Sequence, residues 1–220
     1  MDDIPYELVR SKRKTLALTI NREAGLVVRA PMQAGEEAIS AFIREKARWI
    51  IDKQRQIMDY RANQAPFTLE NGQSLLFLGK SYAVLRDSVR KVTVEQTCIR
   101  VPKRMPLEGF VDWLREQCGK IIRKRLNYYA RLMGVKYAST RLSEAKRRWG
   151  SCGSKNNLNF AWRLVMCPQS VIDYVVVHEL SHIVYKNHGA HFWSHVAAVM
   201  PNFKKERNWL RQNHKLLDLI

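Results

Sequence analysis

The segment YVVVHELSH, residues 174–182, decides how the second half of this 220-residue chain is interpreted. Residues four apart lie on one face of an α-helix, so His178 and His182 can present two imidazoles to a single metal ion. Glu179 lies about 100° around the helix axis from His178, beside such an ion rather than among its ligands. Apolar residues cover most of this helix, which predicts that it is buried and that its polar groups need partners.

A third histidine completes a set that suits zinc. Zinc binds imidazole nitrogens in tetrahedral geometry, and a catalytic site keeps one position open for water. His188 lies six residues after His182, just beyond the expected end of the helix, and is the candidate third ligand. Glu179 is the candidate general base for that water. The spacing therefore predicts a hydrolase with one Zn²⁺ ion held by His178, His182 and His188.

Two further histidines and one cysteine near the motif have open roles. His191 and His195 lie four apart on the next predicted helix. They either support the metal site or its oxyanion, or form an exposed pair beside an aromatic core. Cys152 is either a fourth ligand or a redox-sensitive group, or it is a packed thiol. The sequence leaves these alternatives open.

The composition is that of a globular protein without a membrane segment. Hydrophobic residues make up 46% of the chain and aromatic residues 10%, an ordinary content for a folded domain. No apolar run approaches the roughly 18 residues that a membrane span needs. The acidic start, Met1-Asp2-Asp3, is unlike a signal peptide, and the four cysteines form no CxxC pair. We therefore expect a cytoplasmic protein with free thiols and no membrane partner.

Net charge is the second informative feature. The chain carries +18 at neutral pH, and residues 111–220 hold 19 Lys and Arg against 7 Asp and Glu, a local net charge of +12. Such a charge attracts nucleic acid or another polyanion, the alternative being a basic surface that is only solvated. The candidate nucleic-acid or anion contacts lie on a predicted helix and before a predicted strand junction: Lys120, Arg123, Lys124, Arg131, Lys146, Arg147 and Arg148.

Hydrophobic periodicity predicts an α+β fold with two domains. Residues 1–107 form a small β-rich domain, in which a three- and four-residue spacing predicts one long helix over 36–58. Residues 108–220 form the second domain, which opens with an amphipathic helix over 108–133. The other predicted elements are strands near 16–20, 26–28, 74–78, 81–86, 91–95, 97–101, 138–148 and 157–165, and helices over 168–185, 190–199 and after 201.

Several short segments together resemble one family. They are RWGSC at 148–152, NLN at 157–159, WRL at 162–164, YVVVHELSH at 174–182 and NHGAHFW at 187–193. Through them the chain resembles the YgjP-like family of metallopeptidases, which is related to the SprT/Spartan and WLM metalloproteases. The resemblance implies a compact zincin-like metallopeptidase domain over 108–220. It also implies the same metal ligands, His178, His182 and His188, with Glu179 as the catalytic base.

These observations predict a zinc metallopeptidase that hydrolyses peptide bonds through a zinc-bound water. We expect a protein or peptide substrate, and a nucleic-acid setting with DNA as a partner. An extended substrate is expected to add to the strand near 157–164. One alternative is a metal-dependent hydrolase of a small anion, such as a nucleotide phosphoanhydride. Another is a basic DNA-binding protein without enzymatic activity, whose zinc is structural.

Overall fold

The computed structural model describes residues 4–21, 23–62 and 67–218. Its helices and strands confirm the α+β class. The chain forms two compact units, Met1–Ala65 and Pro66–Ile220. No helix in the described residues combines the length and the apolar character that a bilayer crossing requires.

The first unit is a three-stranded sheet followed by two helices. Strands β1 (Tyr6–Ser11), β2 (Ala17–Ile20) and β3 (Leu26–Pro31) lie in the order β1-β3-β2, with β1 parallel and β2 antiparallel to β3. The predicted single helix over 36–58 is instead two helices, α1 (Glu36–Glu45) and α2 (Ala47–Ala62), because the backbone leaves the helical conformation at Lys46. The buried core of this unit consists of Leu26, Val28, Ala30, Ile39, Ile43 and Ile50.

The second unit opens with a four-stranded sheet and a long helix. Strands β4 (Ser74–Phe77), β5 (Lys80–Asp87), β6 (Thr93–Val94) and β7 (Cys98–Pro102) lie in the order β4-β5-β7-β6. Helix α3 (Leu107–Leu132) follows them. All four strands fall where alternating apolar residues predicted them.

A shared core joins this sheet to the rest of the second unit. Val84 and Ile99 of the sheet are fully buried in the same hydrophobic cluster as Phe110 and Leu114 of α3. The predicted domain boundary at 107/108 therefore falls inside the second unit, because the sheet buries its apolar face against the helix that follows it. The observed division lies instead between residues 65 and 66.

A second three-stranded sheet precedes the helix of the histidine motif. Strands β8 (Ser139–Ser143), β9 (Gly150–Cys152) and β10 (Asn157–Ala161) lie in the order β8-β10-β9. The predicted strands over 138–148 and 157–165 are thus shorter than expected, since a 3₁₀ turn (Trp162–Met166) follows β10 directly. Because β10 bonds a neighbour on each side, it cannot accept a substrate strand as predicted. Strand β9 lies at one edge of this sheet.

Three helices complete the fold: α4 (Gln169–Val184), α5 (Ala190–Val199) and α6 (Phe203–Gln212). Helix α4 is almost fully buried, as its apolar residues predicted. The guanidinium of Arg125 on α3 donates to both carboxylate oxygens of Asp173 on α4, at 2.5 and 2.7 Å. The side chain of Gln169 also donates to Asp173, at 3.1 Å. This ion pair ties the helix that carries the histidines to α3.

Candidate metal centre

Three imidazoles converge near the end of helix α4. His178 and His182 lie one turn apart on α4, and His188 lies between α4 and α5. The Nε2 atom of His188 is 3.1 Å from Nε2 of His178 and 3.1 Å from Nε2 of His182. Within residues 4–21, 23–62 and 67–218, these side chains form the one group of His, Cys, Asp or Glu that is arranged to hold a metal ion.

The spacing of the three nitrogens fits a tetrahedral zinc site. With Zn–N bonds of about 2.0–2.1 Å, two ligand nitrogens lie about 3.3–3.4 Å apart, close to the 3.1 Å separations here. The Nδ1 atom of His182 is 3.0 Å from the backbone carbonyl of Tyr185. Because a carbonyl only accepts hydrogen bonds, this Nδ1 carries the proton. The Nε2 atom of His182 is then free to offer its lone pair to a metal.

Burial keeps His178 in the neutral form that binds metals. Its Nδ1 atom is 3.5 Å from the hydroxyl of Tyr174, one turn earlier on α4. Burial, followed by the charges of His182 and His188, lowers the pKa of His178 to about 3. The ring of Phe192 packs against all three imidazoles, with ring centres 4.5–4.9 Å apart. The apolar ring shields one side of the group from water and limits the movement of the imidazoles.

Glu179 lies beside this group in an environment that favours its protonated form. Only 5% of Glu179 is exposed, and its Oε2 atom has no hydrogen-bond partner among the residues that the structure describes. Burial raises the pKa of Glu179 to about 8, and the charge of Arg148 opposes this shift. A buried carboxyl group that readily holds a proton, next to a metal-binding group, has the properties of a general base.

The carboxyl group of Glu179 also lies directly against the backbone of β9. A Cβ atom added to Gly150 would lie 2.6 Å from Oε1 and 2.8 Å from Cγ of Glu179. Real Cβ atoms do not approach so closely, so only glycine leaves room for this carboxylate. A glycine directly after Trp149 is the local sequence signal of such a close approach, but its partner Glu179 is brought there only by the fold.

The sequence of the chain matches a known family across these residues. The profile of the YgjP-like metallopeptidase domain matches residues 14–213. The chain belongs to the YgjP-like family. It is therefore a metallopeptidase, as its motifs predicted. No curated protein matches it at a significant level.

Two solved structures are similar to part of this YgjP-like chain, and both are metallopeptidase zymogens. Abylysin of Pyrococcus abyssi is 16% identical with a TM-score of 0.39, and the match covers 42% of this chain and 93% of that one. Jannalysin of Methanocaldococcus jannaschii is 17% identical with a TM-score of 0.39, and the match covers 42% of this chain and 95% of that one.

His191 and His195 lie outside the group of three imidazoles in this YgjP-like chain. The Nδ1 atom of His195 is 3.2 Å from the hydroxyl of Ser181, which itself donates to the carbonyl of Val177 at 2.8 Å. The rings of His191 and His195 pack against Tyr185, at 6.3 and 5.5 Å between ring centres. His195 thus contacts both helix α4 and Tyr185, the residue that follows it, whereas His191 contacts Tyr185. A role in stabilising the oxyanion stays a prediction.

Cys152 on β9 is a free, half-buried thiol. It does not join the three imidazoles as a metal-binding group in the described residues. Burial raises the pKa of this thiol. The charge of Lys186 lowers that pKa, and the charge of Glu179 raises it. These properties match the packed thiol among the predicted alternatives rather than a fourth ligand.

The predicted basic contacts divide into two places. Lys120, Arg123, Lys124 and Arg131 lie exposed on α3, and we call them the α3 basic surface. Lys120 forms an ion pair with Glu116 at 2.7 Å. The other three predicted contacts, Lys146, Arg147 and Arg148, lie exposed between β8 and β9. Among these seven residues in the described part of the chain, Arg148 is the one whose charge lowers the pKa of the candidate base, Glu179.

The structure adds two cations that the sequence interpretation missed. Lys186 follows α4. Burial is the main cause of the lowered pKa of His182, and the positive charge of Lys186 lowers that pKa further. The guanidinium of Arg207 on α6 lies 4.6 Å from the ring centre of Trp193, which packs against His188. No local motif marks either residue, since only the folded chain brings α6 next to α4.

Proposed function

We propose that this chain is a zinc-dependent peptidase in which His178, His182 and His188 hold one Zn²⁺ ion and Glu179 transfers protons. The observation that carries the proposal is the convergence of three Nε2 atoms, with two separations of 3.1 Å, beside a buried carboxylate whose Oε2 atom has no hydrogen-bond partner in the described residues. A bound zinc ion supplies Lewis acidity, which polarises a peptide carbonyl and makes water more acidic.

The side chains of this site have separate tasks in peptide hydrolysis. Glu179 takes the proton of the attacking water on its carboxylate and delivers it to the departing amine. Burial raises the pKa of this carboxyl group in the metal-free chain, which favours its uptake of a proton. Tyr174 and the carbonyl of Tyr185 orient the imidazoles through their Nδ1 atoms.

Strand β9 is the proposed docking edge for the substrate. It lies at one end of its sheet, and its Gly150 packs against Glu179. An extended peptide that pairs with this edge would bring its backbone next to the candidate base. Backbone pairing of this kind requires little of the side chains of the substrate, which suits a peptidase with unfolded targets.

Nothing in the described residues favours the two alternative functions. Hydrolysis of a phosphoanhydride commonly uses further metal ions held by oxygen ligands. The nearest acid in sequence, Asp173, is instead bound by Arg125 and Gln169. A structural zinc site usually has four protein ligands, whereas the described group has three members.

The test of the peptidase function compares the wild type with Glu179→Gln after both are loaded with zinc. We expect one zinc per chain in each protein and cleavage of an unfolded protein substrate by the wild type alone. Gln keeps the size of the side chain but cannot accept the proton. Equal cleavage by both proteins would remove Glu179 from the mechanism, and cleavage by neither would contradict a peptidase.

We also propose that the α3 basic surface binds single-stranded nucleic acid. Arg123, Lys124 and Arg131 have no ion-pair partner in the described residues. Tyr128, which is 55% exposed, lies with Lys124 and Arg131 around a shallow depression of about 520 Å³. An exposed ring between cations offers a base a stacking surface and its phosphates a counter-charge. DNA is the polymer that we propose as partner.

Fluorescence anisotropy with a labelled single-stranded DNA tests this second proposal. Neutralising Arg123, Lys124 and Arg131 together should weaken binding strongly and lower the salt dependence of the affinity, since about three phosphate contacts are lost. Tyr128→Ala should weaken single-strand binding while its salt dependence is kept. Unchanged affinity in the triple variant would show that the α3 basic surface is only solvated.

A further inference from the structure

Three cationic side chains surround the candidate metal centre. Arg148 comes from the loop before β9, Lys186 from the segment after α4, and Arg207 from α6. All three are exposed, and we call them the cationic rim. They lie far apart in sequence, so the fold alone brings them to one site.

Arg207 is held beside two of the three imidazoles by an aromatic platform. Its guanidinium lies 4.6 Å from the ring centre of Trp193. That ring lies 5.6 Å from His188 and 5.9 Å from His178, and Phe203 stacks on it at 5.3 Å. The N–H groups of a guanidinium lie in its own plane. A guanidinium held over a fixed aromatic ring therefore keeps them available for hydrogen bonds. Arg207 is thus placed to receive a carboxylate that approaches the metal centre.

The other two cations lie in the segment after α4 and in the loop before β9. The ammonium of Lys186 donates to Oδ1 of Asn156 at 3.0 Å, which holds it near the β9–β10 turn. Arg148 lies two residues before the glycine that packs against Glu179, and its charge acts on that carboxyl group. The proposed docking strand therefore has a cation near each of its ends.

The charges of the cationic rim are not paired with acidic side chains among the described residues. No carboxylate in the described residues lies within ion-pair distance of Arg148, Lys186 or Arg207. Arg100 and Arg115, by contrast, each contact two acidic side chains. The chain therefore pairs arginines with acids elsewhere but leaves the cations around the metal centre available.

We propose that the cationic rim selects acidic peptides, in which Asp or Glu side chains flank the scissile bond. This inference rests on the peptidase function proposed above and names its substrate class. Exposed cations around a cleft raise the association rate of an oppositely charged substrate by on the order of 10–10³-fold. They also disfavour basic peptides through repulsion. Substrate carboxylates supply the partners that the rim lacks.

A peptide library first locates the cleaved bonds. The zinc-loaded wild type is incubated with a library of mixed peptides, and the new termini are identified by mass spectrometry. We expect Asp and Glu to be enriched within the few positions on either side of the cleaved bonds. One cleaved sequence then provides three matched peptides, in which the flanking acids are Glu, Gln or Lys.

The decisive measurement is the ratio of kcat/KM for the Glu peptide to that for the Lys peptide. We expect a ratio on the order of tenfold or more at low salt in the wild type, decreasing as salt screens the charges. Arg207→Glu and Lys186→Glu should each lower the ratio several-fold. Lys205→Glu, a reversal at an exposed position of the same helix α6, is the matched control and should leave the ratio unchanged.

The outcomes separate this inference from the function on which it rests. Cleavage of all three peptides at equal rates would overturn the acidic preference and leave the peptidase intact. Cleavage of no peptide, with zinc bound, would overturn both. Single-stranded DNA that competes with the Glu peptide in the wild type, but not in Arg207→Glu, would show that the rim binds nucleic acid and would overturn its assignment to peptides.

Discussion

The sheets β1-β3-β2 and β8-β10-β9 share one topology, and β9 of the second packs against Glu179 beside the candidate metal centre. In each sheet the first strand runs parallel, and the second antiparallel, to a central third strand. In each case a helix follows the third strand: α1 follows β3, and α4 follows β10 after a 3₁₀ turn. The same scaffold is thus built twice with different consequences.

The two sheets differ in what the short second strand packs against. In the first sheet, Leu18 and Ile20 of β2 pack against an apolar core. In the second sheet, Gly150 of β9 packs against the carboxylate of Glu179. Sheet topology therefore does not determine where a site forms. The contact between a glycine of the strand and a polar residue of the following helix does.

The largest effect should come from removing a ligand from the helix that follows the second sheet. We predict that His182→Ala loses bound zinc and reduces peptidase activity by roughly 10³-fold or more, because the Lewis acid contributes several kcal/mol to the transition state. Metal analysis and kcat/KM measure both effects. The control is His214→Ala, an exposed histidine of the C-terminal 3₁₀ turn. A variant that keeps zinc without His182 would contradict the three-ligand assignment.

The contact between Gly150 and Glu179 should have the next largest effect. We predict that Gly150→Ala lowers kcat by roughly a hundredfold while zinc stays bound, because a methyl group displaces the carboxylate and misplacement by about 1 Å has such an effect. Steady-state kinetics and metal analysis on the same samples measure the two quantities.

Two matched variants decide whether this effect is steric. Gly153 lies on the same hairpin, between β9 and β10. In Gly153→Ala the added Cβ atom would lie 3.6 Å from its nearest neighbour, the carbonyl oxygen of Asn157, which is an ordinary contact distance. We expect it to retain activity. In Glu179→Asp, which shortens the side chain, the further change Gly150→Ala should have little additional effect. Additive losses in this double variant would mean that Gly150 acts through the strand rather than through the carboxylate.

The sequence predicted the parts of this site that local spacing determines. His178, Glu179 and His182 share one buried helix, and the segment after it carries His188, so periodicity alone indicated their proximity. The contact of Gly150 and the position of Arg207 depend on tertiary packing, which no spacing within a helix or strand encodes. The boundary at 107/108 was placed where the pattern changes from strands to the long helix, whereas the core that Ile99 shares with α3 keeps the sheet and the helix in one unit.

The ion pair between α3 and α4 should affect stability more than exposed ion pairs do. We predict that Asp173→Asn destabilises the second unit by about 2–3 kcal/mol, because Arg125 loses its charged partner in a largely buried position. This corresponds to a decrease in Tm of roughly 4–12 °C. Thermal unfolding measures this decrease. The control is Asp112→Asn, because Asp112 is an exposed partner of Arg115. We expect the control to lower the free energy of unfolding by less than about 1 kcal/mol. Equal shifts in the two variants would show that the pair does not hold α4.

The smallest predicted effect concerns two tyrosines that contact the imidazoles in different ways. The hydroxyl of Tyr174 lies 3.5 Å from Nδ1 of His178, whereas Tyr185 contacts Nδ1 of His182 through its backbone carbonyl at 3.0 Å. Removing a partner of a ligand's second nitrogen weakens metal binding by about tenfold or more. We therefore predict that Tyr174→Phe weakens zinc binding by about tenfold and that Tyr185→Phe leaves it unchanged, since Phe keeps the carbonyl. Competition with a zinc chelator measures both affinities. Unchanged affinity in both variants would mean that ring packing, which Phe preserves, rather than the hydroxyl of Tyr174 holds His178 in place, the kind of apolar support that α1 receives in the first unit.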